Sequence, residues 1–406
     1  MKKNTLASHN IRLLFWAEIC GSVRFIQPVL TLFYFARGLE SSDILIIMTF
    51  FSLGVLIGEL PTGAFADRFG SKSAFLIGSG LGIVSHSLLF IAYEPWVFFL
   101  SSGLTGVAAT FFSGADEALI YESLKLSKEE DSMDQAIGNI ASASFLVTIF
   151  IVIIGAILAR DLTNQQFTTL IGLGIAFLCI EFILLLFIKN PPSQGTYQGT
   201  PMKQIVDGCI AIKQHPAVLW MFLNITLVFI PATAIFEKFD QKVLVDAGLP
   251  VYWIGGVYAC ASIAGFIASR FIASLTRRTN RVLLLRGTGF LAVVCLCGVA
   301  IWTHTLWVIL VMLILLKLVS AIRYPVYAQL ANDIIPSNVR ATTISLLSIV
   351  DSCLDLVIFT TISGIATKGM TALFFSCAFI ALIGVLLPVK PKQPIEEITP
   401  QYPVTK

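Results

Sequence analysis

Apolar runs of about 20 residues recur from one end of this chain to the other, and that pattern fixes the class of fold. A run of that length is what an α-helix needs to cross a bilayer, whose hydrocarbon offers no water to a backbone in any looser form. Twelve such windows can be read in the 406 residues: 11–36, 43–64, 73–93, 96–121, 136–159, 166–188, 216–237, 251–273, 282–302, 305–330, 340–366 and 369–388. The breaks between them carry turn residues, as at Glu94-Pro95, Pro191-Pro192, Gly248-Leu249-Pro250 and Ile335-Pro336. The expected fold is an all-α membrane protein with twelve transmembrane helices and loops too short for a soluble domain. Composition agrees, with 56% hydrophobic and only 13% charged residues, where a soluble domain carries about 25% charged. A water-soluble enzyme and a disordered chain are thereby excluded. The net charge of +3 is not gathered on a soluble face, so no nucleic-acid partner is expected.

Charge placement orients the chain. With both termini in the cytoplasm, 18 of the 27 lysines and arginines fall on that side or its boundary. Arg37, Arg160, Lys238, Lys242 and Lys368 fall outside, and Arg24, Arg286, Lys317 and Arg323 lie within spans. The polar start, Met1 to Asn10, leads into an apolar run longer than a signal-peptide core, which predicts a retained first helix. The longest polar stretch, 191–214, separates a six-helix bundle over 1–190 from a second over 215–406 with a short cytoplasmic tail. A surface helix is expected near Met202–Gln214. A shift of 209 residues sets the segment Ala66–Lys72 over Leu275–Arg281, two basic loops after the second span of each half. Seven of the eight cysteines lie in apolar windows, with Cys209 in the linker and no metal-type spacing. They read as packing residues, and no metal or cofactor is expected.

The most specific segment is Gly58-Glu59-Leu60-Pro61-Thr62-Gly63-Ala64-Phe65-Ala66-Asp67-Arg68-Phe69-Gly70-Ser71-Lys72. It reads as a tight cytoplasmic turn in which glycines allow close helix approach and an acid and bases can pair with neighbouring helix ends. Here the chain resembles the major facilitator superfamily, whose signature loop is Gly-x-x-x-Asp-Arg-x-Gly-(Arg/Lys)-(Arg/Lys). Gly63, Asp67, Arg68, Gly70 and Lys72 match it, and Ser71 replaces one basic position. The resemblance implies a secondary transporter working by alternating access, with this loop holding the cytoplasmic side closed against the start of span eleven. Arg340, in Arg340-Ala341-Thr342, resembles the family's pattern there. Two departures narrow the subclass. Ser102 stands where the family often has a proton-coupling arginine, and Ile151–Ala156 replaces the Gly-Pro-x-x-Gly-Gly of antiporters.

Ten ionisable residues fall well within spans: Glu18, Arg24, Asp116, Glu117, Glu181, Arg286, Lys317, Arg323, Asp351 and Asp355. Facing lipid, each would cost on the order of 3 kcal/mol, together roughly 30 kcal/mol, so a paired or wet polar path is required. At about 100° per residue, Arg24, Gln27, Thr31 and Tyr34 share an arc of about 80° on span one. Lys317, Ser320, Arg323, Tyr324 and Tyr327 make a stripe on span ten, and Ser345, Ser348, Asp351, Ser352 and Asp355 another on span eleven. Spans one, four, seven and ten line the cavity in the family. Arg24, Gln27, Tyr34, Lys317, Arg323 and Tyr324 are therefore the candidate substrate residues, although the two arginines could equally lock helices together. Asp351 and Asp355, one turn apart, cannot easily both be charged, so one that keeps its proton would be a reversible carrier. Structural pairing with Lys317 or Arg323 is the other reading of these acids. Asp116, Glu117 and Glu18 are further coupling candidates, the first two also fitting the cytoplasmic gate.

The expected function is proton-coupled movement of a small organic solute across a bacterial inner membrane by a monomer, with export preferred. Symport of an anionic nutrient is the alternative, since four basic residues lie inside the membrane. A non-transporting sensor on the same fold is the rival of another class. An embedded enzyme would need a converging catalytic set, which the four scattered histidines do not give.

Overall fold

The computed structural model describes residues 5–129, 132–191, 216–334 and 340–389. Within these helices it leaves out the side chains at 60, 67, 134, 141, 143, 145, 146, 269–278, 332–334 and 340–345. All the elements described are helical. Span one comprises Leu6–Gly21 and Leu30–Ala36, span two Ser41–Phe69, span three Ser71–Ile91, and span four Pro95–Thr110 with Ala115–Ser127. Spans five and six are Met133–Leu158 and Asn164–Leu186. Span seven runs from Pro216–Phe229 through Ile230–Ile235 into Phe236–Asp246, followed by spans eight, Ile254–Arg278, and nine, Arg281–Ile301. Spans ten to twelve are Leu306–Ile334, Arg340–Ala366 and Met370–Leu386. Nine stretches among the described residues are long and apolar enough to cross a membrane; Gln27–Ala36, Val147–Leu158 and Met370–Leu386 are the shorter apolar pieces of the other three spans. The expected surface helix near Met202–Gln214 lies outside the described residues.

The helices break where the backbone chemistry requires it. Pro28 has no N–H and would clash with the carbonyl four residues earlier, that of Arg24. Span one accordingly unwinds after Gly21 and resumes through the tight turn Gln27–Val29. Pro231 has a milder effect in span seven, where Ile230–Ile235 widens into a π-helical turn. Span four breaks at 111–114 and restarts from Gly114, whose φ of +73° is the left-handed conformation that glycine adopts freely.

Three of the expected boundaries need correction. The signature segment is helical through Phe69, and the turn into span three is Gly70 alone, with φ +85° and ψ 155°. Span seven continues to Asp246, which moves Lys238 and Lys242 from an outer loop into the helix. Span one is two helices, so a single 100° wheel does not describe it.

Packing differs between the two ends of the bundle. At the end remote from both termini, one apolar core takes Val29, Phe33, Phe98 and Phe167 from the first six spans with Phe236, Ile254, Leu313 and Phe374 from the last six. At the end that carries the termini there are two cores among the described residues. Ile11, Phe75, Leu119 and Leu185 belong to one, and Val218, Leu285, Val326 and Leu347 to the other. Span two packs along span eleven, and span five along span eight. A Cβ on Gly255 would lie 2.5 Å from the Val152 carbonyl oxygen, so this second crossing depends on glycine.

Candidate functional site

Between the first six and last six spans lies a cavity of about 430 Å³. Its wall comes from Arg24, Gln27 and Tyr34 of span one, Met48, Phe51 and Ser52 of span two, and Ser85 and His86 of span three. Span four adds Ser102 and Thr105, span seven Phe229, Thr233, Glu237 and Lys238, and span eleven Asp355 and Phe359. The broken segment of span one puts Arg24 on this wall. Its remote end is closed by a clamp between the irregular parts of spans one and seven. The Thr31 N–H donates to Gln241 Oε1 at 2.9 Å, Gln241 Nε2 donates to the Gln27 carbonyl at 3.0 Å, and the Thr31 hydroxyl donates to the Lys238 carbonyl. Thr31 is thus buried in the clamp, off the cavity wall.

The charges on the wall are unequally partnered. Asp355 accepts from the Ser52 hydroxyl at 2.9 Å, a bond between spans eleven and two. Glu237 forms an ion pair with Lys317 of span ten. Asp240, one turn further along span seven, is buried and accepts from the Tyr258 hydroxyl at 2.5 Å. The Arg24 guanidinium and the Lys238 ammonium have no hydrogen-bond or ion-pair partner among the described residues. Ser102, at the position where the family resemblance expects an arginine, donates instead to the Ile47 carbonyl at 2.7 Å.

A second cavity, of about 150 Å³, lies among spans seven, ten and eleven and is lined by Arg323, Tyr324, Tyr327, Asp351 and Thr226. Arg323 is only 3% exposed. It donates from Nη2 to the side-chain and backbone oxygens of Asn224 at 3.0 and 3.1 Å, and from Nη1 to the Leu285 carbonyl. Asn224 in turn donates to the Gly384 carbonyl at 2.8 Å, so the network joins spans seven, nine, ten and twelve. Asp351 accepts from Thr226 at 3.2 Å. The two span-eleven acids therefore serve different cavities, each with its own hydroxyl donor, and neither pairs with Lys317 or Arg323.

The other candidates sit nearer the terminal end. Asp116 and Glu117 are exposed in the first turn of Ala115–Ser127, where the unpaired N–H groups favour negative charge. Asp116 Oδ1 accepts from the Glu117 N–H at 2.8 Å. Glu18 accepts from Ser22 at 3.3 Å and lines neither cavity. In the signature segment, Arg68 lies 5.3 Å from the Phe69 ring centre, and the Lys72 N–H donates to Asn190 Oδ1 at 3.0 Å. A Cβ on Gly70 would lie 2.5 Å from Asn190 Nδ2, whereas one on Gly63 meets nothing within 4 Å. The side chains of Asp67 and Arg340, and hence their expected contact, lie outside the described residues.

Glu237, Lys238 and Asp240 are the site residues that sequence reasoning missed, because Glu-Lys-Phe-Asp resembles the polar edge of a span. The signal was nonetheless present. Phe236, Phe239, Asp240, Val243 and Leu244, all buried, repeat at the 3, 4, 7 and 8 spacing of a one-sided helix.

The profile of the family described as the Major Facilitator Superfamily matches residues 19–354. Among curated proteins, the chain is 26% identical over 166 residues to a "Probable sugar efflux transporter" of Helicobacter acinonychis (strain Sheeba), covering 40% of this chain and 41% of that protein. It is 24% identical over 205 residues to "Multidrug resistance protein MdtH" of Shigella flexneri serotype 5b (strain 8401), covering 50% and 48%. The matches thus span less than half of each relative. The fold is similar to the crystal structure of the nucleoside transporter NupG, with a TM-score of 0.71, 12% identity and coverage of 94% and 97%. It is also similar to an inward-facing, unoccupied bacterial homologue of the human lysosomal transporter Spinster, with a TM-score of 0.68, 14% identity and 95% of each chain covered.

Proposed function

Because the chain belongs to the Major Facilitator Superfamily, we propose that it is a secondary transporter moving a small organic solute across the bacterial inner membrane by alternating access, with protons driving export. The observation that carries this reading is the asymmetry around the 430 Å³ cavity, with one shared core beyond it and two separate cores before it. Two bodies joined at one end can rock apart at that end and together at the other, around a fixed midplane site. In this reading the bodies are 1–190 and 215–406, with 191–214 linking them. In this reading the termini are cytoplasmic, which the lysine and arginine distribution supports, and the end with two separate cores is the inward-facing one. Asp355 is the coupling acid this reading favours. It lies on the cavity wall and bridges the two bodies through Ser52, so its protonation would bear on solute binding and on closure together. The preference for export is supported by relatives named for sugar efflux and multidrug resistance. The protein acts as a monomer in this proposal.

The test is proton release from purified protein in weakly buffered detergent on adding a chemically diverse compound library. Wild type should release protons with its ligands, and Asp355→Asn should bind them without release. Ligand binding to wild type with no proton release overturns the coupling. Direction is read in cells: an exporter lowers accumulation of its solute, and a symporter raises it.

A further inference from the structure

We propose that the large cavity binds the anionic head of an amphipathic solute, a carboxylate or phosphoryl group, between Arg24 of span one and Lys238 of span seven. The proposal names the solute class for the site given above and rests on that reading only for where the solute binds. Besides Tyr34, the ionisable residues lining the cavity are Arg24, His86, Glu237, Lys238 and Asp355. None of the nearby acids lies within ion-pair distance of either cation. Glu237 is held by Lys317, Asp240 by Tyr258 and Asp355 by Ser52. Glu18, the acid nearest Arg24 along the chain, is held by Ser22, and the buried Glu181 lies against Gly21 without an ion pair to Arg24. Two cations therefore face one cavity from opposite halves of the chain; Glu181 and Glu18 act on Arg24, and Glu237 and Asp240 on Lys238, only at a distance, and among the described residues neither cation is in an ion pair or hydrogen bond.

Arg323, though it borders the smaller cavity, shows how this same chain treats an arginine whose task is structural: both terminal nitrogens donate to fixed acceptors, and the side chain is buried. Arg24 has the opposite arrangement, exposed at a helix break and unbonded. A cation without a hydrogen-bonded partner within a membrane is costly, and an anion bridging two of them recovers part of that cost through charge-assisted hydrogen bonds. Met48, Phe51, Phe229 and Phe359 give the rest of the wall an apolar, aromatic surface, which suits the body of such a solute. A volume of about 430 Å³ falls at the small end of the roughly 300–1,000 Å³ typical of ligand pockets, which favours a compact molecule.

Three probes of one shape test this on the purified full-length protein: benzoate, neutral benzamide and cationic benzamidinium, with phenyl phosphate as a second anion. Binding is followed by calorimetry. At least one of the two anions should bind at least about tenfold more tightly than benzamide and benzamidinium, and which of them binds tells carboxylate from phosphoryl recognition. Arg24→Gln and Lys238→Gln should each weaken that anion by about tenfold, with Arg24→Lys recovering part of the loss. If a variant fails to fold, wild type alone decides, because added salt should weaken the anion and leave benzamide unchanged. Equal binding of all probes, preference for the cation, or binding of none overturns the proposal. Anion binding without flux in reconstituted vesicles would overturn the transport reading and leave this site standing. Flux of a neutral or cationic solute without anion binding would do the reverse.

Discussion

Arg24 and Arg323 look alike in the sequence, each an arginine inside an apolar run. Their difference is set by acceptors on other helices. Arg323 finds two oxygens on Asn224 and a third on Leu285, whereas Arg24 faces a cavity and finds no hydrogen-bond acceptor among the described residues. Replacing Arg323 by Leu should therefore cost about 2–4 kcal/mol, seen as a lower apparent Tm in detergent, because Asn224 and Leu285 lose a charged donor in a buried site. The same substitution at Arg24 should leave Tm nearly unchanged. Gly70 makes a similar point about backbone. Its φ of +85° with ψ 155° lies in a region that is essentially glycine's alone, and Asn190 occupies the place of a Cβ. Gly70→Ala should cost about 1–3 kcal/mol, whereas Gly63→Ala, with open space around it, should be nearly silent in the same melting experiment.

At the scale of elements, glycines decide which helices touch. Spans two and four cross so closely that a Cβ on Gly106 would lie 2.2 Å from the Phe51 carbonyl, and one on Gly54 2.3 Å from that of Gly103. Gly106→Val would force the two backbones apart and should cost at least about 1–3 kcal/mol, measured as lost folded yield and a lower Tm. Gly287→Val, with nothing within 4 Å of its Cβ, is the matched control. The apolar periods located the twelve helices to within a few residues at most ends. They failed at span seven, where Glu237, Lys238 and Asp240 read as an edge, because hydropathy counts polar groups without knowing that a cavity and Tyr258 await them. They also failed at span one, where Pro28 should have warned of the break.

For the molecule as a whole, the closed end is held by one apolar core together with the clamp among Gln27, Thr31, Lys238 and Gln241. Gln241→Ala removes two of the clamp's hydrogen bonds. A net loss of about 1–2 kcal/mol would shift an open–closed equilibrium by roughly 5- to 30-fold. Spin labels at Gly38 and Leu249, in the loops at that end, should then show a longer-distance population that wild type lacks. An unchanged distance distribution would mean that the apolar core alone keeps the end shut.

The sequence by itself determined that this chain is a bundle of membrane helices, because only helices satisfy a backbone in hydrocarbon and their length is set by the bilayer. It also determined the family resemblance through Gly63, Asp67, Arg68, Gly70 and Lys72, and the need for a polar path from the cost of the buried charges. Only the tertiary structure decided which charges are spent on one another and which are left facing a cavity. It parted Asp351 from Asp355, locked Arg323, and brought Lys238 and Arg24 to the wall of one cavity. The physical reason is that a helix period fixes the face on which a residue stands, whereas its partner is supplied by another helix, often more than a hundred residues away, through packing that no local pattern encodes.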